Sequence, residues 1–132
     1  MATRDLLRNT LASQSLTPAV RTNGTATGAA VDLRGYDGAV VTVSFGTWTD
    51  GTHTPSVTQS VDGTTYNACA ASDLLGTLTA VSGTAGGSGV QQVGYIGSQR
   101  FLKVVMTTTG ATSGAASAAD VIAGYPHVGP TQ

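Results

Sequence analysis

Two Asp-Gly pairs, at positions 50–51 and 62–63, enclose a segment of alternating residues in the sequence DGTHTPSVTQSVDGTTY (50–66). Asp tolerates left-handed backbone and bonds to its own chain, and Gly adopts positive φ without a steric penalty. An Asp-Gly pair beside an alternating run is typical of a β-hairpin. The segment therefore predicts a β-scaffold in the middle of the chain.

Several further runs are apolar and β-branched and are separated by turns rich in Gly, Asp and Ser. In residues 39–45 the side chains of Val41, Val43 and Phe45 share one face, and in residues 100–108 those of Leu102 and Val104 do so with Met106. The predicted strands are residues 29–33, 39–45, 55–61, 64–68, 74–81, 90–96, 100–108 and 117–125, with a flexible surface loop at 82–89. Seven or eight short strands predict an all-β sandwich or barrel, and of these we expect an antiparallel β-sandwich that is jelly-roll-like.

The composition predicts a folded chain that works inside an assembly. At 132 residues the chain fits one domain, only 10% of its residues are charged, and its net charge is −1. Disordered chains combine low hydrophobicity with high net charge, whereas 40% of these residues are hydrophobic. A freely diffusing protein usually carries more surface charge, so this neutrality favours a surface that is covered in an assembly.

Charge and hydrophobicity also limit the partners. The Arg and Lys residues are scattered and balanced by Asp, which argues against electrostatic binding to nucleic acid. No apolar run approaches the ~20 residues that span a membrane. We therefore expect neither nucleic acid nor membrane as a partner.

The N-terminal part has a different character, and we predict an N-terminal arm at residues 1–23 ahead of a sandwich domain with a short C-terminal tail at 24–132. Residues 4–13 favour a short helix with Leu6, Leu7 and Leu11 on one side, although a helix of that length is marginal alone. Pro18 ends any helix, so residues 15–21 are predicted to be extended. The apolar arm is expected to dock on a partner.

His53 lies three positions from Asp50, and Ser and Thr are abundant, so the sequence contains the residue types of a Ser-His-Asp site. Such a site needs a nucleophile held by the base and a third group that orients the base. Here His and Asp share one turn, and no Gly-x-Ser-x-Gly elbow is present. We predict a solvated turn histidine, no catalytic residues and no enzymatic activity.

Metal binding is also disfavoured. The candidate ligands Asp37, Asp50, Asp62 and Asp73 each precede or lie close to a glycine or a helix-cap-like position, which turn chemistry explains, and the spacing of an EF-hand is absent. His53 and His127 alone do not make a zinc site. We therefore expect no metal and no cofactor, and we expect Cys69 to pack as a small hydrophobic residue.

Trp48 is the single tryptophan and lies beside the first Asp-Gly pair. It has three possible roles: it caps one end of the sandwich, it anchors an interface, or it stacks against a sugar.

Four segments together resemble the small structural proteins of tailed bacteriophages that act as capsid decoration or cement proteins. They are VDLRGYDGAVVTVSFG (31–46), DGTHTPSVTQSVDGTTY (50–66) with ASDLLG (71–76), VGYIGSQRFLKVVMTTTGATSG (93–114), and GYPHVGP (124–130). The likeness covers residues 31–130. The sequence departs from the pattern at Val61, where an acidic residue is expected, and at 82–89, which resembles a longer insertion.

The resemblance implies a virion protein on the capsid exterior, made in the host cytoplasm, that binds the major capsid protein and itself as a homotrimer. The residues expected to cross to a neighbouring subunit or the shell, together with Trp48, are Leu6, Leu7, Leu11, Leu16 and Val20. Two alternatives remain: a tail or head-completion component, and a virion glycan-binding module that uses Trp48.

Overall fold

Ten strands form two antiparallel sheets in the computed structural model, which describes residues 6–82 and 89–126. The strands are β1 Thr10–Arg21, β2 Gly24–Thr27, β3 Val31–Asp32, β4 Tyr36–Trp48, β5 Thr52–Ser60, β6 Asn67–Ala68, β7 Leu74–Leu75, β8 Gly89–Tyr95, β9 Phe101–Thr109 and β10 Ala115–Pro126, with a 3₁₀ turn at Ala71–Asp73. Sheet A has the order β1-β10-β4-β8-β7, and sheet B has the order β2-β9-β5-β6, with β3 also paired to β9. The predicted all-β sandwich is confirmed.

The strand order is that of a jelly roll. If the eight strands other than β3 and β7 are numbered in chain order, sheet A reads 1-8-3-6 and sheet B reads 2-7-4-5. Apart from the β5–β6 hairpin, consecutive strands of this set of eight alternate between the sheets, which is the double Greek-key arrangement. The order also places the first and last strands side by side, because β1 pairs with β10.

The core lies between the sheets and follows the predicted alternation. Val41 and Val43 of β4 are fully buried, as are Leu102, Val104 and Met106 of β9. Side chains alternate between the two faces of a strand, so every second residue of β4 and β9 points inward. Each such side chain contributes roughly 1.5–3 kcal/mol by leaving water.

The N-terminal segment differs from the prediction. The short helix expected over residues 4–13 does not extend over Thr10–Ser13, which belong to β1 and pair with β10. A helix of this length is marginal alone, whereas pairing along β10 satisfies the backbone groups of β1. Residues 15–21 are extended as predicted, but as a strand within sheet A.

Several strands also differ in length. The unpredicted β2 pairs with β9, while the predicted strands 64–68 and 74–81 shorten to β6 and to β7 with an isolated bridge at Val81. Most of the predicted loop 82–89, together with His127 and the end of the motif at 124–130, lies outside the described residues.

The two Asp-Gly turns have different roles. Gly51 and Gly63 both adopt positive φ, at 89° and 78°, as the turn chemistry predicts. The turn at 62–63 leads from β5 to its neighbour β6, which is the expected hairpin. The turn at 50–51 joins β4 of sheet A to β5 of sheet B, so it crosses between the sheets and forms no hairpin.

Ser15 links the two sheets by hydrogen bonds at the edge formed by β1. The register of β1 against β10 shifts at this point, and both Ser15 and Leu16 are buried. The Ser15 hydroxyl donates to the Ala29 carbonyl at 2.9 Å and accepts from the Val104 N–H at 3.0 Å. A β-carbon at Gly28 would lie 2.4 Å from the Ser15 oxygen, so only glycine fits there. One polar contact thus joins β1 of sheet A to β9 of sheet B.

Candidate interaction surface

His53 is fully buried and is used within the fold. Its Nδ1 atom lies 3.1 Å from Thr108 Oγ1, and its Nε2 atom lies 3.0 Å from the Asp50 backbone oxygen. Both ring nitrogens therefore have partners inside the protein, and the ring has no open face for a substrate. The prediction of a solvated turn histidine is wrong, because the side chain is fully buried and contacts Thr108 of the neighbouring strand β9.

The Asp50 carboxylate holds the turn that precedes β10. It accepts the N–H groups of Gly114 at 2.6 Å, Ser113 at 3.1 Å and Thr112 at 3.1 Å. The hydrogen bond from Gly114, followed by those from Thr112 and Ser113, holds the pKa of Asp50 below its usual value. A carboxylate with three backbone donors is a structural anchor for a loop.

The carboxylates of Asp62 and Asp32 also accept hydrogen bonds from neighbouring groups. Asp62 accepts the N–H groups of Thr65 at 3.0 Å and Thr64 at 2.8 Å, and these bonds lower its pKa. Asp32 forms a two-pronged ion pair with Arg100 at 2.8 and 2.7 Å, and the hydrogen bonding from Arg100 lowers the pKa of Asp32 to about 2. Within residues 6–82 and 89–126, no three His, Cys, Asp or Glu side chains are grouped so as to hold a metal ion.

Trp48 and Cys69 pack against the core. The Trp48 indole N–H donates to the Gly51 carbonyl at 2.9 Å, and the half-buried ring contacts the core, so it caps the turn at 50–51. Partial burial raises the pKa of the Cys69 thiol to about 11, with a smaller effect from Asp73. A thiol of that pKa is almost entirely protonated at neutral pH and is a poor nucleophile. The prediction that Cys69 packs as a small hydrophobic residue agrees with this placement.

The outer face of sheet A is a candidate interaction surface. It is formed by the side chains of its strands that point away from sheet B. Its members are Ala12, Gln14, Val20, Val40, Thr42, Ser44, Leu75, Val90, Gln92, Ala116, Ala118, Asp120 and Ile122. Asp120 is the single charged residue of this set. Val20, Leu75 and Val90 each expose more than 60% of their area. The face is therefore nearly neutral and mostly apolar.

A groove of about 430 Å³ continues this face at the end where β4 begins and β10 ends. Its apolar walls come from Leu6, Val40, Ile122 and Tyr125. Tyr125 is exposed and has a φ of 56°, which non-glycine residues rarely adopt. Its ring lies over Gly38, where a β-carbon would approach the ring to 3.2 Å. Such a backbone outlier with an exposed aromatic ring is a feature that functional surfaces often contain.

The structure separates the apolar residues that were predicted to form the interface. Leu6 lines the groove, Leu7 lies in the turn at residues 7–9 that leads into β1, and both are strongly exposed. Val20 lies at the far end of the outer face of sheet A, and Leu11 is half-exposed opposite Ala123 at the edge. Leu16 is 2% exposed and packs in the core, so it offers no surface to a partner.

Apart from Trp48 at the end of β4, the predicted interface residues did not include any from β4 and β10, the two strands that carry most of this surface. Alternation had already placed Val40, Thr42 and Ser44 on the face opposite Val41 and Val43, but it did not show that this face stays uncovered. Asp120 and Ile122 join them because β10 pairs with β4 in register, with Asp120 beside Thr42 and Ile122 beside Val40.

The outer face of sheet B has a different chemistry. Its exposed side chains are mainly hydroxyls, from Thr25, Thr27, Thr54, Ser56, Thr107 and Thr109. Lys103 lies on this side with its ammonium 3.9 Å from the centre of the Tyr66 ring. The two faces of the sandwich therefore present different surfaces, one hydroxyl-rich and one apolar.

Comparison with protein-family models finds no match for this chain, and comparison with curated proteins finds none either. None of the helical segments in the part of the chain that the structure describes is long and apolar enough to cross a membrane. The protein is therefore a β-sandwich that exposes an apolar face on one side.

Proposed function

We propose that this chain is a structural virion protein that decorates and stabilises a bacteriophage capsid by binding the assembled shell across neighbouring capsomers. The observation that carries the proposal is the concentration of exposed apolar side chains on one side of a nearly neutral sandwich, at the outer face of sheet A and its groove. Contiguous apolar patches on soluble domains usually mark interaction sites.

Three further points support this role. The sequence resembles capsid decoration proteins over residues 31–130. The jelly roll occurs widely in viral capsid proteins, which is an analogy at the level of the fold. The polar groups around His53 and Asp50 are used inside the fold, which favours a structural role over an enzymatic one.

The mechanism is linkage. A protein that binds the assembled shell, and not its dissociated subunits, stabilises the shell by mass action. Many copies on one particle multiply a modest affinity at each site. In this proposal the partner is the major capsid protein, the chain self-associates as a homotrimer, and the protein sits on the capsid exterior after synthesis in the host cytoplasm.

Cosedimentation tests the proposal. Purified full-length chain is mixed with empty expanded capsids that were assembled without it, and the capsids are pelleted. We expect saturable binding, with a copy number that matches the symmetry of the shell. Absence of the chain from the pellet at micromolar concentrations would contradict the proposal.

Electron microscopy of the same mixture separates decoration from the nearest alternative. Density repeated over the whole shell supports decoration, whereas density restricted to one vertex or to a tail indicates a head-completion or tail component. The glycan-binding alternative gains no support from the placement of Trp48, because its indole N–H already binds Gly51 and its ring packs against the core.

A further inference from the structure

We infer that the outer face of sheet A is the surface that lies against the shell, and that Asp120 meets a lysine or arginine of the capsid there. This inference rests on the proposed function and adds the orientation of the sandwich and the chemistry of its partner. The hydroxyl-rich outer face of sheet B then points to solvent.

The size of the face suits a stable contact. β1 and β10 have 12 residues each, β4 has 13 and β8 has 7. With ~4.8 Å between strands and ~3.3 Å per residue, these strands cover about 700 Å² in projection. A standard protein interface buries about 800 Å² on each partner, so this face and the adjoining groove suffice for one.

The side chains of the face allow close approach. Ala12, Ala116 and Ala118 are small, and Gly94 continues the row that contains Val40 and Ile122. Such a surface lets a partner approach the strands closely, and burying the exposed Val20, Leu75 and Val90 side chains favours binding.

Asp120 decides what kind of partner fits. Its Cα pairs with Gln14 on β1 and with Thr42 on β4, both neutral residues, so the carboxylate lies well inside the sheet. A partner that covered the face and left this carboxylate unpaired would bind unfavourably, and a basic side chain pairs with a carboxylate most strongly. The partner that fits best is therefore an apolar surface that carries at least one basic side chain.

A second copy of this chain does not meet that requirement through the same face. Two-fold packing would place Asp120 against a surface whose one charged residue is another Asp120. Among the cations of the described residues, Arg21 at the end of β1 donates to Ser117 and to the Thr17 carbonyl, and Arg100 and Lys103 lie on the side of sheet B, where they contact Asp32 and Tyr66. Charge complementarity thus favours a different protein, and under the proposed function that protein is the capsid subunit.

The test is a set of charge variants in the cosedimentation assay with empty expanded capsids. Asp120→Asn removes the carboxylate, and Thr107→Lys on the outer face of sheet B changes the net charge by the same amount. We expect Asp120→Asn to weaken binding by about 30-fold or more, as for loss of one partner of a buried charge pair. Thr107→Lys should bind within about twofold of the wild type.

A second substitution on the face protects the test against an Asp120 variant that misfolds. Ser44→Lys lies on the neighbouring strand β4 and should also abolish binding, while thermal melting confirms that both variants remain folded. Wild-type binding by folded Asp120→Asn and Ser44→Lys would overturn the inference but leave the proposed function intact.

If the wild type itself does not bind the capsids, the proposed function fails. A change in the solution mass of Asp120→Asn with unaltered capsid binding would assign the face to self-association and would also overturn the inference.

Discussion

At the scale of single residues, the carboxylates of this chain stabilise its turns, and their pKa values predict how stability depends on pH. The pKa of Asp50 is lowered by the N–H groups of Gly114, Thr112 and Ser113, and that of Asp32 falls to about 2 beside Arg100. A lowered pKa means that the folded state favours the charged carboxylate. This contribution is complete above the ordinary value of about 4 and is lost as the pH falls through the lowered pKa.

We therefore expect the free energy of unfolding to decrease between about pH 4 and pH 2 and to decrease less in Asp50→Asn than in the wild type. Urea unfolding at a series of pH values measures this difference. The variant is also expected to be less stable at pH 7, where the wild-type carboxylate is charged. Parallel pH profiles for the two proteins would show that the hydrogen bonds from residues 112–114 do not contribute.

At the scale of elements, β1 is an integral strand, and Ser15 is the group that ties it to sheet B. In Ser15→Ala the Val104 N–H loses its acceptor in the interior, which should cost about 1–3 kcal/mol of stability. Ser56→Ala is the matched control, because its exposed hydroxyl makes only a 3.4 Å contact with the Val105 carbonyl, and it should cost less than about 0.5 kcal/mol. Chemical denaturation of both variants measures the difference, and equal losses would rule out the special role of Ser15.

The same contacts predict how far the N-terminus can be shortened. Deletion of residues 1–9 leaves β1 intact, so a folded domain is expected. Deletion of residues 1–22 removes Leu16 from the core and uncovers the edge of β10, so the product should be unfolded or aggregated. Circular dichroism and size-exclusion chromatography distinguish the two outcomes. A folded monomer from the longer deletion would contradict the role of β1 as a structural strand.

The sequence predicted those elements whose pattern is local. β4 and β9 alternate regularly, and both Asp-Gly turns contain the residues that positive φ requires, so strands and turns were predictable. β1 was not recognised as a strand because its alternation breaks at Ser15, and the partner of that hydroxyl, Val104, is 89 positions away. The acceptor role of Asp50 was likewise hidden, because the N–H groups that it binds are at least 62 positions away.

The candidate surface was also only partly predictable from local sequence patterns. Alternation placed Val40 and Thr42 together on one face, but only the pairing of β4 with β10 added Asp120 and Ile122. Burial of Leu16 depends on the register shift at Ser15, so a list of apolar residues in the arm did not separate Leu16 from Leu6. Which apolar residues stay exposed is decided by the fold as a whole.

At the scale of the whole molecule, the two faces of the sandwich differ in chemistry, and in the proposed function the apolar face binds the shell while the hydroxyl-rich face points to solvent. Under the proposed function, the shell should become more stable as the concentration of the chain rises, because only the assembled shell binds it. At a concentration 100 times the dissociation constant, linkage supplies about 2.7 kcal/mol per site. The expected result is a melting temperature of empty expanded capsids that increases with the logarithm of concentration.

Scanning calorimetry measures the melting temperature of these capsids as a function of the concentration of the wild type, of Thr107→Lys and of Asp120→Asn. The wild type and Thr107→Lys should give the same curve, and Asp120→Asn should need a concentration about 30-fold higher for the same increase, since its affinity is lower by that factor. A melting temperature that stays constant while the wild type is bound would mean equal affinity for shell and dissociated subunits. In that case the chain would coat the capsid without stabilising it, because linkage requires a difference in affinity between the two states.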